Sequence, residues 1–271
     1  MNTSTSITLI TCTYNAQTVL QRTLDSVISQ DYPNIEHLII DGRSTDDTLR
    51  MAEQYSIETN ERHCGHNVII VSEHDDGLYD AMNKGLQMAS GEYLCFLNAG
   101  DTLPDTTTIR TIAQQLAPKQ ITPEQPAPQQ FTPGRTYGVV YGETDVVDDN
   151  GTFLYHRHHH APETLTWRSF QRGMLVCHQA FYANTRIARQ TPYDLRYRLS
   201  ADVDWCIRVM KKAESEGLRN LNTHRVLVNY LAGGMSIKNH RASLIERFRI
   251  MASHYGLPTT ILQHIRFLLK I

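Results

Sequence analysis

Carboxylates and amides recur in this chain where apolar runs end. Residues 72–101 read SEHDDGLYDAMNKGLQMASGEYLCFLNAGD. Asp75, Asp76 and Asp80 gather there with Asn83 and Lys84 around the start of one helical stretch, and Asn98-Ala99-Gly100-Asp101 closes an apolar run. Asp41 ends an earlier run, beside the Thr13-Tyr14-Asn15 break that ends the run before it. A carboxylate at such a strand end can accept the imide N–H of uracil or the hydroxyls of a ribose, and Tyr14 offers a ring to stack on a base; an acid there can equally do no more than cap a strand-to-helix turn. Lys84 follows Asp80 by four residues and shares its helix face, which suits either a surface ion pair or the sugar and ribose wall of a nucleotide pocket. A diphosphate leaving group calls for a divalent cation, and Mg2+ or Mn2+ prefers carboxylate oxygen. Asp101 with one amide nearby is a sparse site of that kind, and by itself it reads as readily as a turn.

Two further clusters carry ionisable groups. Asp202 and Asp204 fall in the first turn of a helical stretch, on different faces. One of them can therefore face a cleft and take a proton from an attacking hydroxyl, while the other serves the positive end of the helix. Residues 155–160 read YHRHHH, and as a strand they would put His156, His158 and His160 on one side. No cysteine or carboxylate stands at structural-zinc spacing to them, so an exposed basic edge is expected.

Alternating elements must hold these groups. β-branched apolar runs predict buried strands over 6–12, 35–40, 68–72 and 93–97, and 3.6-residue apolar periodicity predicts helices over 18–30, 47–55, 79–89 and 106–116. Strands alternating with helices imply parallel β-α-β units, hence an α/β protein with a mostly parallel sheet covered on both faces. Residues 117–135 hold five of the chain's 10 prolines with much glutamine, and predict an exposed insertion within one domain. Further strands are expected over 137–141, 153–156 and 226–230, with another buried run over 175–182 and a helix over 200–212. A turn at Ala232-Gly233-Gly234-Met235-Ser236 leads into one or two C-terminal helices, broken at Gly256-Leu257-Pro258. The last of these, over 259–271, has an apolar face with Arg266 and Lys270, and is expected to dock on the domain, form a homodimer contact or lie peripherally on a membrane.

The 271 residues suffice for one large domain, and a formal net charge of −2 offers no electrostatic case for nucleic acid. Five scattered cysteines suggest reduced, buried thiols of a cytoplasmic protein. No basic-then-apolar leader opens the sequence and no apolar run reaches membrane-spanning length.

In serial order these parts resemble the GT-A-fold glycosyltransferases of family 2, and among them colanic-acid and other polysaccharide-biosynthesis enzymes. The matching residues are Thr13-Tyr14-Asn15, Leu24-Asp25-Ser26-Val27, Asp41-Gly42 with Ser44-Thr45-Asp46, Asp76 through Gly85, Phe96 through Asp101, His178-Gln179, Ser200-Ala201-Asp202 and Gly233-Gly234. The resemblance spans 6 to about 237. It implies a Rossmann-like GT-A domain over 1–237 and leaves 238–271 as a helical tail. It further implies Cys12, Tyr14 and Asp41 around a nucleotide base, Asp80 and Asn83 (with Lys84 on the same wall) near ribose and donor sugar, and Asn98, His178 and Gln179 among the substrate-binding positions. Asp101 then stands for the metal motif, and Asp202 for the catalytic base of an inverting transfer from a UDP-sugar to a glycan or lipid-linked hydroxyl. Asn98 and Gly100 stand where many relatives carry Asp. That depletion keeps open a non-catalytic nucleotide-sugar binder. A nucleotidyltransferase would want a glycine-rich basic loop where Thr13-Tyr14-Asn15-Ala16-Gln17 stands.

Overall fold

A computed structural model describes residues 4–117, 136–233 and 239–269. The proline-rich insertion over 118–135 and the turn over 234–238 lie outside the described residues. Within them, eight strands form one sheet: β1 (Ile7–Thr13), β2 (Ile35–Asp41), β3 (Asn67–Ser72), β4 (Tyr93–Phe96), β5 (Tyr137–Val147), β6 (Phe153–His156), β7 (Phe181–Asn184) and β8 (Arg219–Leu231). The helices are α1 (Leu20–Ile28), α2 (Thr48–Arg62), α3 (Leu78–Met88), α4 (Thr108–Leu116), α5 (Thr185–Arg189), α6 (Ala201–Ser215), α7 (His240–Tyr255) and α8 (Leu257–Leu269).

β3, β2, β1 and β4 run parallel in that order. β1 and β2 are buried along their whole length, as strands covered on both faces must be. α1 turns Leu20, Leu24, Val27 and Ile28 inward, on the periodicity read from the sequence. α3 lies against the sheet through Gly85, where a Cβ would come 2.5 Å from Ile10 Cγ2. The remaining strands make the sheet mixed. β7 is antiparallel to both β4 and β5, and β5 pairs β6 antiparallel and β8 in parallel. Because β8 runs the full length of one edge of β5, β6 and β7 share the other edge.

β5 and β8 are both longer than their apolar cores suggest, since β8 continues through a bulge. Tyr141 pairs Asn222 and Glu143 pairs Val226, so three residues of β8 oppose Gly142 alone. His224, within the bulge, takes the left-handed conformation at φ 53°. The run over 175–182 divides into a 3₁₀ turn at His178–Ala180 and then β7.

Behind the strand ends lies an aromatic stack. Tyr79 stacks on Tyr193 with centroids 5.4 Å apart, and Tyr193 on Trp205 at 5.0 Å. Phe96 stands edge-on to Tyr193 and Trp205. The helical tail belongs partly to this core. In α7, Ile250 and Met251 are buried, His254 Nε2 lies 2.7 Å from Asp204 Oδ1, and the ring of Tyr255 stacks on Trp167. Asp204 is thus the acid that packs against the tail, leaving its neighbour Asp202 to the other face. In α8, Leu257, Ile261, Leu262 and Ile265 are exposed. No described helix is long and apolar enough to cross a membrane, and all five cysteines are free thiols.

A Cβ at residue 142 would stand 2.4 Å from the Arg225 carbonyl oxygen, a backbone atom of the bulge that cannot swing aside. Gly142→Ala should therefore cost about 1–3 kcal/mol of stability, read by urea denaturation. A variant as stable as the parent would mean that the bulge yields freely.

Candidate active site

The C-terminal ends of the parallel strands form the floor of the site. Thr13, Asp41 and Ser72 are register neighbours on β1, β2 and β3. Thr13 Oγ1 donates to Asp41 Oδ1 at 3.1 Å, and Ser72 Oγ to Oδ2 at 2.7 Å. The Ser44 N–H donates to Oδ2 at 3.0 Å, and its hydroxyl donates to Oδ1. A carboxylate offers about four lone-pair sites. All those of Asp41 are taken, so this buried acid binds the three strand ends to one another and to the loop before α2. A base could be read by Asp41 only if one of these donors turned away. A layer deeper, His37 lies between Thr11 and Tyr55 at 2.9 and 2.8 Å, and burial, helped by the charge of His66, pushes it down to about 3. Thr11 donates to the Leu97 carbonyl. It must therefore accept from the Nε2–H of a neutral His37, whose Nδ1 accepts from Tyr55.

Above this floor Tyr14 is exposed, and Cys12 lies buried beneath it, its thiol pushed up by burial and then by the charge of Asp75. The sequence reading named Asp75 among neighbouring acids and gave it no role of its own. Its carboxylate occupies the space where Gly42 lacks a side chain (2.3 Å from an ideal Cβ), and Tyr14 borders the same space. Here a missing Cβ, not a motif, brings the acid beside Tyr14.

The wall formed by α3 is more self-contained than expected. Lys84 Nζ pairs with Glu73 at 3.0 Å and Asp80 at 3.5 Å, and donates to the His74 carbonyl. Asp80 Oδ2 also accepts the Asp76 N–H. Asn83 clamps the peptide of Tyr193, its Oδ1 accepting the N–H at 2.7 Å and its Nδ2 donating to the C=O at 3.0 Å. Lys84 and Asn83, expected to face donor sugar and ribose, spend their polar atoms on the protein.

The convergence lies around Asp202. Its Oδ2 is 3.2 Å from His178 Nδ1, and its Oδ1 accepts from the Tyr79 hydroxyl at 3.3 Å. Asn98 Nδ2 lies 3.3 Å from His178 Nε2. The Nδ1–H can thus donate to Asp202 while the Asn98 amide meets the other ring nitrogen. Asn98 Oδ1 is buried and finds no partner among the described residues. Burial would raise Asp202, but the hydrogen bond and charge of His178, the charge of Arg247 and the Val203 N–H outweigh it and hold the carboxyl below its ordinary value. Burial, then the charge of Asp202, keeps the Tyr79 phenol protonated as a donor. The result is an ionised, largely buried carboxylate on a rigid helix end, suited to take a proton.

Asp101 lies on the other side of His178 and is buried. Leu231 N–H donates to its Oδ1 at 2.8 Å, and Gln179 Nε2 to its Oδ2 at 3.0 Å. Burial pushes it up to about 6 despite those bonds and the charges of His178 and Arg22. These surroundings do not fit a divalent cation. Gln179 turns its donor end toward Asp101, Asn98 adds one neutral oxygen, and among the described residues no three His, Cys, Asp or Glu side chains can hold a metal. The metal role expected of Asp101 thus meets a latch between the β4 end, β8 and the 178–180 turn.

Of the histidine run, only His156 lies in a strand, 2.6 Å from Asp145, and His160 approaches Glu143 at 3.7 Å. The edge is made of exposed His–acid pairs. Sequence reading also missed Glu246 and Arg247, because it ended the domain before α7. Glu246 accepts the backbone N–H groups of Arg198, Leu199 and Ser200 at 2.9, 2.8 and 3.0 Å, immediately before the turn that carries Asp202. No sequence pattern near Asp202 marks a partner so far along the chain.

Known proteins share the family and the fold. The family model described as Glycosyl transferase family 2 matches residues 8–121. A PGL/p-HBAD biosynthesis glycosyltransferase of Mycobacterium bovis is 32% identical over 230 residues, covering 84% of this chain and 78% of that protein. An uncharacterized glycosyltransferase of Mycobacterium tuberculosis is 30% identical over 222 residues, covering 81% and 74%. Among solved structures, residues 1–349 of S. aureus TarS superpose over 97% of this chain and 72% of that chain with a TM-score of 0.64 at 14% identity. A mannosyltransferase of Pyrobaculum calidifontis, solved with GDP-Man and Mn2+, covers 96% and 74% with a TM-score of 0.58 at 18% identity. At such identities the superpositions speak for the fold, which is the GT-A type.

Asp101 generates a stability prediction. Its folded value of about 6 stands above the unfolded 3.8, so the folded state holds the proton more tightly. The associated stability is complete below about pH 4 and is lost as pH rises toward 6, by up to about 3 kcal/mol. Asp101→Asn cannot titrate. Its stability relative to the parent should improve between pH 4 and 7 in urea denaturation, and a constant difference across that window would refute the titration.

Proposed function

The chain belongs to glycosyl transferase family 2 and is a glycosyltransferase, and from this premise we propose an inverting transfer of sugar from a nucleotide-diphosphate donor, UDP-linked, to a hydroxyl of a lipid-linked glycan in polysaccharide biosynthesis. One observation carries the reading: a buried carboxylate, Asp202, held ionised by His178 and Tyr79, with the unpartnered acceptor Asn98 Oδ1 beside it. A base in that state, next to an amide oxygen able to accept an O–H donor, suits an acceptor alcohol. The choice of donor is supported by TarS, which has been solved with UDP and with UDP-GlcNAc, while GDP-Man in the Pyrobaculum enzyme keeps guanosine nucleotides as the comparison to test.

In this reading the nucleotide base lies over Cys12 and Tyr14, with Asp75 at its edge and Asp41 holding the strand ends below, and the sugar extends past the α3 wall toward Asn98. The acceptor oxygen attacks the anomeric carbon from the side opposite the diphosphate. The new C–O bond forms as the bond from the anomeric carbon to the diphosphate oxygen breaks, and the electron pair leaves with the nucleoside diphosphate. The acceptor proton passes to Asp202. His178 holds Asp202 in place and keeps it ionised, which makes it a positioning residue. Because the donor set at Asp101 does not suit a cation, the Mn2+ of the Pyrobaculum enzyme has no matching place in this sequence of events.

Asp202→Asn should lower kcat by about 10²–10⁴-fold, the usual contribution of a general base, with UDP binding retained in calorimetry. Full transfer by this variant would reject Asp202 as the base. His178→Ala removes the donor that holds Asp202 low, so the acid limb of kcat/KM should move to higher pH, and His178→Asn, which keeps an N–H at the Nδ1 position, should move it back. An acid limb indifferent to both changes would leave His178 with a packing role.

A further inference from the structure

The tail helix α7 meets the reaction centre at one place. Glu246 holds the three peptide N–H groups before α6, and Ser243 Oγ lies 3.0 Å from Ser200 Oγ. This stretch of α7 is thereby fixed against the helix end that carries Asp202. Arg247 is the next residue, and it is half-buried. Its Nε is shielded from solvent and finds no acceptor among the described residues. A buried donor left unpaired costs about 1–3 kcal/mol and calls for a partner.

Three other cations near the site are engaged. Arg22 donates to the carbonyls of Asp148 and Asp149, Arg157 to those of Met174 and Leu175, and Lys84 is held by Glu73, Asp80 and His74. Arg247 has no carboxylate within 4.0 Å among the described residues, yet its charge bears on both Asp202 and His159. The guanidinium therefore lies within electrostatic reach of the base without being consumed by it. Meanwhile the site as described contains Asp101 and Asp202 and a donor set unsuited to a metal, so a departing diphosphate has little else to balance its charge. A guanidinium is a planar fork that matches two phosphoryl oxygens.

We propose that Arg247 binds a phosphoryl oxygen of the donor's diphosphate and stabilises the charge that collects there as the sugar leaves. This rests on the nucleotide-sugar reading above and deepens it. Arg247 then touches the leaving group while Asp202 receives the acceptor proton, and α7 joins the catalytic domain. Glu246 sets the distance between the two.

The experiment is calorimetry of UDP and of uridine, with GDP and guanosine alongside, in EDTA, on the full chain and on its Arg247→Ala and Arg247→Lys variants. The parent should bind the diphosphate more tightly than the nucleoside. Arg247→Ala should lose about 10- to 100-fold in diphosphate affinity, the worth of a charge-assisted hydrogen bond, with nucleoside affinity unchanged, and Arg247→Lys should recover part of it. If the alanine variant does not fold, Arg247→Gln, which retains the stem, carries the same expectation. Equal weakening of diphosphate and nucleoside, or no weakening, would overturn the proposal and leave the nucleotide reading standing. Unchanged diphosphate affinity with a raised KM for a phosphate-bearing acceptor would assign the arginine to the acceptor instead, and would also overturn it. A parent chain that binds none of the four ligands would remove the nucleotide reading, and this proposal with it.

Discussion

One buried carboxylate joins the two halves of this molecule. Asp101 receives an N–H from Leu231 at the end of β8 and the amide of Gln179 from the turn before β7. The parallel strands that begin the chain meet the later strands through that acid. A buried carboxylate must be hydrogen-bonded or protonated, and the elevation of Asp101 indicates that its two donors only partly compensate for burial. Leu231 and Gln179 thereby fasten the end of β4 to β8 and to the turn before β7, beside the direct pairing of β4 with β7. Gln179 in turn follows His178, so the latch also orients the imidazole that holds Asp202.

The same logic repeats at each level of the sheet. Asp41 gathers Thr13, Ser44 and Ser72, and Glu36 accepts from Thr8 and from both the N–H and the hydroxyl of Ser90. Each acid links strands that the backbone ladder already pairs, and adds directional bonds where the strands end and the ladder fails. The Tyr79–Tyr193–Trp205 stack closes the other side of the site without polar cost along its faces. Asn83, by holding both polar atoms of the Tyr193 peptide, keeps the middle ring in that stack. A side chain expected at the substrate thus acts one layer behind it.

Much of the fold was legible because its signals are local. The β-branched runs of β1 to β4 and the periodicity of α1, α3 and α6 each depend on neighbours within a few residues. The full lengths of β5 and β8 were not legible, since the bulge at His224 needs the space left by Gly142 on the partner strand. The strand expected over 153–156 forms with those bounds, and the histidines of this edge pair with acids of β5, His156 with Asp145 and His160 with Glu143.

Residue types and their order were enough to mark Asp41, Asp101, Asp202, His178 and Gln179 as chemically important and to indicate the family. They could not divide these residues between structure and chemistry, because the division depends on which donors reach each oxygen. Asp41 and Asp101 have theirs supplied by the protein, whereas Asp202 is held by a histidine and a phenol, beside an arginine that lies 45 positions later in the sequence. Hydrogen-bond reach is a few ångströms in space and carries no trace of separation along the chain. Tertiary structure alone could therefore bring Glu246 and Arg247 of the tail to the helix end where Asp202 stands.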